Sequence, residues 1–235
     1  RNPLLTTTYG VGEVIKDAVE KGCRRFIVGI GGSATNDGGV GMLQALGFSF
    51  LDRKGRQAGF GARALMDIHR ISAEKVMPEL SECAFRVACD VTNPLCGERG
   101  ASAVYGPQKG AGPDMVEQMD KGLAHLAEVS KDFTGADPDY PGTGAAGGLG
   151  FGFLTFLNST LESGVKIVLE ETGLEEYIRK ADFVVTGEGR LDGQTVQGKA
   201  PMGVAELAKA WDKRVFAFSG CVTSKASLCN EAGID

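Results

Sequence analysis

Apolar residues along this chain recur either at helical spacing or in short continuous runs, and the two patterns alternate. Helical spacing predicts helices over residues 12–21, 113–131, 174–178 and 201–209. Short runs rich in Val, Ile and Phe predict buried strands over residues 25–30, 85–89, 183–186 and 214–218. Less regular segments predict short strands at 48–51 and 101–105, and either a strand or a helix start at 165–169. Strands that alternate with helices predict an α/β fold, with a largely parallel sheet and flanking helices.

The length of 235 residues fits one large domain or two small ones, at about 150 residues per domain. We expect residues 1–47 and 165–235 to share one sheet, with residues 48–164 inserted as a second, smaller α/β domain. The chain opens without a methionine and stops just after a strand-like segment. We therefore expect a fragment of a longer protein.

Charge and cysteine content narrow the classes of function. A net charge of −5 argues against a nucleic-acid or anionic-membrane partner, because both favour basic proteins. No apolar stretch approaches the ~20 residues of a membrane-spanning helix. With only two histidines, a His-ligated metal or a His-based nucleophile is not expected. The six cysteines form no CxxC pair, which predicts reduced thiols and a cytoplasmic location.

Glycine is the compositional outlier, with 35 residues against only 8 prolines. Its densest polar run, residues 31–39, follows a predicted strand and opens a predicted helix, where free backbone N–H groups suit a phosphate. Asp37 adds a carboxylate to this run. The alternative is an ordinary turn that caps the helix. The residues expected to bind a phosphate here are small or polar: Gly31, Gly32, Ser33, Thr35 and Asn36.

A second polar glycine run, residues 187–199, lies between a predicted strand and a predicted helix. Residues 193–199 fit the pattern GxxxxGK, but Ala200 replaces the Ser or Thr whose hydroxyl would hold Mg²⁺. The segment is therefore not a true P-loop. Gly198 and Lys199 still suit phosphate charge, because they lie at a predicted helix start.

Charged residues near other strand ends are further candidates. Glu188, Arg190 and Asp192 place two acids and a guanidinium within five residues, and the alternative is a surface salt-bridge cluster. Asp90 ends a predicted strand and suits Mg²⁺ or a hydroxyl group, unless it only forms an Asx-turn. Lys109 lies in a further glycine run and suits a phosphate, although a solvated lysine fits the pattern equally.

Residues 142–147 spell GxGxxG, the pattern of a dinucleotide site. No predicted strand precedes them, so the structural context of such a site is missing. We expect Gly147 and Gly148 to allow close packing or a helix start beside the site instead.

Five long motifs cover much of the chain: GIGGSATNDGG (29–39), ACDVTNPLCG (88–97), GPQKGA (106–111), GAAGGLG (144–150) and TGEGRLDGQTVQGKAP (186–201). Together they closely resemble the bacterial glycerate kinase family, of the type I enzymes that make 2-phosphoglycerate. The resemblance runs from Arg1 to about Asp235 in order and in register. The family's N-terminal APDS-type and ADGGEG-type motifs, and a further strand and helix at its C-terminal end, have no counterpart here.

The resemblance implies an ATP-dependent kinase that phosphorylates D-glycerate, with ATP and Mg²⁺ as cofactors. It also implies two α/β domains, one of them flavodoxin-like, to which residues 1–47 and 165–235 would belong. The implied partner is a small-molecule substrate, with no nucleic acid and no membrane, and homo-oligomerisation stays open. Two alternatives remain: a non-catalytic fragment that binds nucleotide or anion and needs further segments for catalysis, and a kinase for another small hydroxy acid.

Phosphoryl transfer needs charge neutralisation and in-line positioning more than covalent chemistry. We expect Arg190 to bind the glycerate carboxylate or the moving phosphoryl group. Asp192 is the expected acceptor of the substrate hydroxyl proton, with Asp90 as the second candidate. The residues expected to bind the nucleotide, besides the first glycine run, are Gly198, Lys199 and Lys109. The carboxylates expected to hold Mg²⁺ are Asp37, Asp90 and Glu188.

Overall fold

The computed structural model describes residues 2–134, 137–193, 195, 198–231 and 233–235. The chain forms two compact units, Arg1–Leu161 and Glu162–Asp235, which we call unit 1 and unit 2. The division differs from the predicted one. Residues 1–47 lie in unit 1, because their strand pairs with the strand at Ala84–Ala88.

Unit 1 contains short strands interspersed with helices, and the predicted α/β class with parallel strands is confirmed. In chain order its helices and strands are α1 (Tyr9–Glu20), β1 (Arg25–Gly29), α2 (Val40–Ala45), β2 (Ser49–Leu51), β3 (Arg70–Ser72), β4 (Ala84–Ala88), α3 (Ala101–Tyr105), α4 (Pro113–Thr134), α5 (Ala145–Phe156) and β5 (Ser159–Glu162).

The sheet that carries the candidate site of unit 1 has the strand order β1-β4-β5. β1 and β4 are parallel, and Gly29 lies opposite Ala88 at their carboxyl ends. Phe85 of β4 is buried in the core and stacks on Phe26 of β1, with ring centroids 4.7 Å apart. The prediction that β1 is a buried strand is wrong, because its residues are exposed or half-buried and Ile27 is 54% exposed.

One predicted strand of unit 1 is a helix, and two strands were not predicted. Residues 101–105 form α3, which follows Gly100 in extended conformation, where a Cβ would overlap the backbone of Cys96. A short apolar run fits both periodicities, so its sequence does not decide between strand and helix. β3 and β5 have three and four residues, too few for a clear alternation.

Unit 2 alternates helices with two long strands. The sequence predicts either a strand or a helix start at residues 165–169, and the structure shows a helix there. In chain order the elements are α6 (Gly164–Glu171), α7 (Leu174–Lys180), β6 (Phe183–Leu191), α8 (Ala200–Lys209), β7 (Arg214–Val222) and α9 (Ser227–Glu231).

β6 and β7 form a parallel pair whose two faces differ. One face contributes Val184 and Val215 to a core with helix residues such as Met202 and Ala205. Parallel strands are usually covered on both faces. The other face is apolar and exposed, and we call it the open sheet face: Phe183, Val185, Phe216, Phe218 and Val222.

Residues 187–191 were predicted as a loop, but they continue β6 and pair with β7. Gly187 permits this pairing, because a Cβ there would lie 2.5 Å from the carbonyl oxygen of Phe218. Alternate residues of a strand share a face. Glu188 and Arg190 therefore lie on the face of β6 that carries the core residue Val184, on paired backbone and not on a flexible loop.

Candidate functional site

A pocket of about 410 Å³ opens in unit 1 at the carboxyl ends of β1 and β4. Ligands of α/β proteins bind at this edge of the sheet. We call it the strand-end pocket. The apolar part of its wall comes from Ile30, Ala88, Val91, Ala145 and Ala146. The polar residues that line it are Ser33, Asp90, Tyr105, Gln108 and Lys109.

Three glycines of this pocket face open space. A Cβ built on Gly29, Gly31 or Gly32 would meet no atom within 4 Å. Gly32 has a φ of 71°, which favours glycine, but neither of the other two has a positive φ. Packing therefore does not require glycine at positions 29 and 31. Glycine is useful where a ligand approaches the backbone closely, so the geometry fits the predicted ligand role of Gly31 and Gly32.

Lys109 is a buried cation beside these glycines. The residue is 8% exposed, and it lines both the strand-end pocket and a neighbouring opening that it shares with Ser33. Its Nζ donates a hydrogen bond to the carbonyl oxygen of Thr35 at 2.7 Å. An ammonium has three donors, and among the described residues this one has a single hydrogen-bond acceptor. The solvated-lysine alternative is therefore wrong, and the geometry suits an anion in the pocket.

Thr35 and Asn36, predicted to bind phosphate, are not among the residues that line the pocket. Asn36 is completely buried, and its Nδ2 donates to Ser102 Oγ at 2.9 Å. Thr35 contributes its carbonyl oxygen to Lys109. The polar run thus divides into a part that lines the pocket and a part that holds the loop in place.

Asp37 does not fit its predicted role as a metal ligand. It is 1% exposed, and Oδ2 accepts hydrogen bonds from the Thr8 backbone N–H at 2.8 Å, Thr8 Oγ1 at 3.0 Å and Thr7 Oγ1 at 3.2 Å. Oδ1 accepts from the Gly39 N–H at 3.3 Å. Burial raises the pKa of this carboxyl group, and the hydrogen bonds oppose that shift. Thr8 and Gly39 are the N-caps of α1 and α2, so the helix-capping alternative describes Asp37 better.

Asp90 is exposed at the rim of the strand-end pocket, just after β4, as predicted. Tyr105 lies in the pocket wall and donates from its hydroxyl to Asn93 Oδ1 at 2.7 Å. Burial raises the pKa values of Tyr105 and of Cys89, which also lines the pocket. Sequence reasoning missed Tyr105 and Gln108, because each is a single polar residue within a longer motif.

The GxGxxG run forms a tight backbone contact, as predicted. Ala146, Gly147 and Gly148 adopt left-handed conformations with φ of 53°, 71° and 87°. A Cβ at Gly147 would overlap the carbonyl oxygen of Thr35, and one at Gly148 would lie 2.8 Å from the Cα of Gly38. A left-handed alanine costs about 1–2 kcal/mol, and Ala146 lines the strand-end pocket.

Unit 2 holds a group of opposite charges that we call the acid–cation cluster. Lys199 Nζ lies 3.7 Å from Glu188 Oε2 and 3.9 Å from Asp192 Oδ1. Arg190 Nε lies 3.3 Å from Asp192 Oδ2. Thr195, which sequence reasoning missed, is buried and donates from Oγ1 to Glu188 Oε1 at 2.6 Å. The structure thus brings the predicted residues Glu188, Arg190 and Asp192 close together. They form ion pairs, as the alternative of a surface salt-bridge cluster predicts.

The predicted phosphate-binding residues Gly198 and Lys199 directly precede α8, and Lys199 is its N-cap. Gly198 has a φ of 96°, and a Cβ there would meet no atom within 4 Å. The GxxxxGK segment as a whole is not described, since three of its residues lie outside the described ranges: Gln194, Val196 and Gln197.

Among the described residues, no three His, Cys, Asp or Glu side chains are close enough together to hold a metal ion. Mg²⁺ does not require such a group, because one or two carboxylates and substrate phosphates suffice. Glu188 and Asp192, which share the ammonium of Lys199, form such a carboxylate pair. No helix in the described ranges has both the length and the apolarity needed to cross a membrane.

Comparisons with known proteins agree on one family. The family profile described as the glycerate kinase family matches residues 1–235. The chain is 51% identical to a glycerate kinase of Haemophilus influenzae and 48% identical to the glycerate 2-kinase of Escherichia coli, over 236 residues in each case. Both alignments cover 100% of this chain and 62% of the relative.

A solved structure gives the same result. A crystal structure assigned to glycerate kinase 2 of Salmonella typhimurium LT2 matches with a TM-score of 0.86 and 43% identity. The match covers 95% of this chain and 62% of that chain. The chain therefore spans 62% of the length of each of these relatives. Since the profile matches from the first residue to the last, this chain belongs to the glycerate kinase family.

Proposed function

We propose that the protein containing this chain transfers the γ-phosphoryl group of ATP to D-glycerate, giving 2-phosphoglycerate and ADP. The observation that carries the proposal is the strand-end pocket. There, the buried ammonium of Lys109 has a single described acceptor and lies beside glycines that face open space. An anionic ligand satisfies such a group, because a buried charge needs compensation. The names of the relatives support glycerate as the acceptor.

In unit 1, the strand-end pocket supplies groups for binding an anion. Lys109 Nζ and the Ser33 hydroxyl are donors for a phosphate or carboxylate oxygen. Gly31 and Gly32 let that oxygen approach their backbone closely. The apolar part of the wall strengthens these contacts, because it lowers the local dielectric constant.

In unit 2, the acid–cation cluster supplies groups for proton transfer and charge neutralisation. Asp192 accepts the proton of the reacting substrate hydroxyl. At the same time the hydroxyl oxygen forms a bond to the γ-phosphorus, and the bond from that phosphorus to the leaving ADP oxygen breaks. Arg190 beside it binds the glycerate carboxylate or the moving phosphoryl group. Gly198 and Lys199 at the start of α8 bind phosphate oxygens. Asp90 is the second candidate for the base.

Mg²⁺ is part of the proposal, with Asp90 of unit 1 and Glu188 of unit 2 as separate candidate ligands. Glu188 is an oxygen donor with a second carboxylate nearby, which suits a hard cation that also binds phosphates. When bound, the ion neutralises charge on the transferred phosphoryl group. Asp37 is left out, because both of its oxygens already accept hydrogen bonds.

A cytoplasmic location is also proposed, and the cysteines support it. All six are described, and all are free thiols. Free thiols are typical of proteins kept in a reducing compartment.

The experiment is a coupled assay of ADP release by the full-length protein with ATP, Mg²⁺ and D-glycerate. Enolase added to the products detects 2-phosphoglycerate by its conversion to an enol phosphate. Lys109→Met should weaken binding of the anionic ligand about 10-fold or more, as expected for a lost charged hydrogen bond. The control is Lys54→Met, which changes an exposed lysine outside the strand-end pocket.

Two outcomes would contradict the proposal. ATP binding without ADP release would favour a nucleotide-binding protein without catalysis. Turnover with another small hydroxy acid, but not with D-glycerate, would favour a kinase for that acid.

A further inference from the structure

Helix capping does not explain why residue 37 carries a charge. Neutral Ser and Asn cap helices as well as Asp does. Asp37 is 1% exposed, and burying an ionised carboxylate is costly unless it is paired. Lys109 presents the complementary problem, since it is a buried ammonium whose single described acceptor is a neutral carbonyl oxygen.

A short, well-anchored segment connects these two charges. The Thr35 carbonyl oxygen that accepts from Lys109 lies two residues before Asp37. Between them, the buried Asn36 donates to Ser102 Oγ of α3. Asp37 itself accepts four hydrogen bonds. The acceptor of Lys109 is therefore followed directly by two residues that hydrogen bonds hold in place, Asn36 and Asp37.

We propose that Asp37 is a positioning residue for Lys109: its buried carboxylate stabilises the nearby ammonium, and its hydrogen bonds fix the segment that holds the ammonium in the strand-end pocket. The inference rests on the proposed anion-binding role of that pocket. It also assigns a purpose to the acidic residue of the GIGGSATNDGG motif that neither metal binding nor capping supplies.

The electrostatics agree with this arrangement. Burial lowers the pKa of Lys109 to about 8, and the charge of Asp37 opposes that fall. Other titratable groups of the pocket are Asp90, Tyr105 and Cys89. Asp90 is exposed, so water screens its charge more strongly than that of Asp37. Burial raises the pKa values of Tyr105 and Cys89, which keeps both largely neutral near pH 8.

The test is a titration of Lys109 by NMR in protein labelled with ¹³C at the lysine ε-carbons. Lys109→Met identifies the signal by its loss. In the unsubstituted protein the midpoint should lie near pH 8. In Asp37→Asn the midpoint should be lower, because the stabilising charge is gone. The matched control is Thr7→Val, which removes one hydrogen bond to Asp37 but keeps its charge, so the midpoint should not move.

Ligand binding gives a second readout, with inorganic tripolyphosphate as the probe. If the midpoint falls by one pH unit, the protonated fraction at pH 8 falls from about one half to about one tenth. Asp37→Asn should then bind tripolyphosphate about 5-fold more weakly at pH 8 and almost normally at pH 6. A merely structural loss would weaken binding equally at both values of pH.

An unchanged Lys109 midpoint in Asp37→Asn would overturn the inference. If Asp37→Asn does not fold, Lys109→Met provides the test instead, because the effect of each charge on the titration of the other residue is reciprocal. The midpoint of the Asp37 carboxyl carbon must then rise, and no rise would also overturn it. A shifted midpoint in a protein that binds no tripolyphosphate would support the coupling between Asp37 and Lys109 but refute the proposed anion site.

Discussion

Replacement of Gly31 by alanine separates binding from folding in the strand-end pocket. A Cβ on Gly31 would meet no protein atom within 4 Å, and the residue does not have a positive φ. The free energy of unfolding should therefore stay the same or rise by up to about 1 kcal/mol, because alanine restricts the unfolded chain more than glycine does. The new methyl group would instead project into the space where we place the anion.

The expected loss of affinity follows from steric overlap. Forcing one extra methyl group into a close contact costs about 1–3 kcal/mol. At about 1.4 kcal/mol per tenfold change, ATP should bind roughly 5- to 150-fold more weakly. Calorimetric titration with ATP and Mg²⁺ measures the affinity, and urea unfolding measures the stability of the same preparation.

Gly10→Ala is the matched control. Gly10 lies in α1, away from the pocket, and a Cβ there would also meet no atom within 4 Å. This variant should bind ATP normally. Normal ATP binding by Gly31→Ala would refute the reasoning, since the open space around that glycine would then have no ligand in it.

Three further substitutions test other parts of the site. Asp192→Asn in the full-length protein should lower kcat about 10²-fold or more, as for a lost general base, and near-normal turnover would remove Asp192 from that role. Gly144→Ala should destabilise the fold by several kcal/mol, because the Cβ would overlap the carbonyl oxygen of Pro94; an unchanged urea midpoint would contradict the packing. Ala146→Gly should relieve left-handed strain, so thermal stability should rise by the equivalent of about 1 kcal/mol or less. The same variant should bind ATP more weakly because it lacks a wall methyl group, and full affinity would show that this methyl group does not contact the ligand.

Local patterns were sufficient to predict the main strands of both units. Residues 25–29 and 84–88 are short runs with high β propensity, and both are strands. The domain division could not be predicted in the same way. It depends on the pairing of Gly29 with Ala88, a contact between residues far apart in the chain, which periodicity does not specify.

The candidate site shows a similar limit. The glycine runs and Lys109 could be identified from the sequence as candidate phosphate-binding residues, because phosphate-binding motifs have a recognisable composition. The role of Asp37 could not, since a polar residue in such a run serves equally to bind a ligand or to cap a helix. Its hydrogen-bond partner Thr8 lies in a different part of the sequence, and only the folded structure brings the two together.

The open sheet face should govern how this chain behaves during purification. Phe218 is 72% exposed and lies on the same face of the β6–β7 pair as Phe183 and Val185. Salts such as ammonium sulfate are excluded from protein surfaces and strengthen apolar association. The chain should therefore precipitate at low ammonium sulfate concentration and bind tightly to a phenyl chromatography resin, from which lowering the salt would release it.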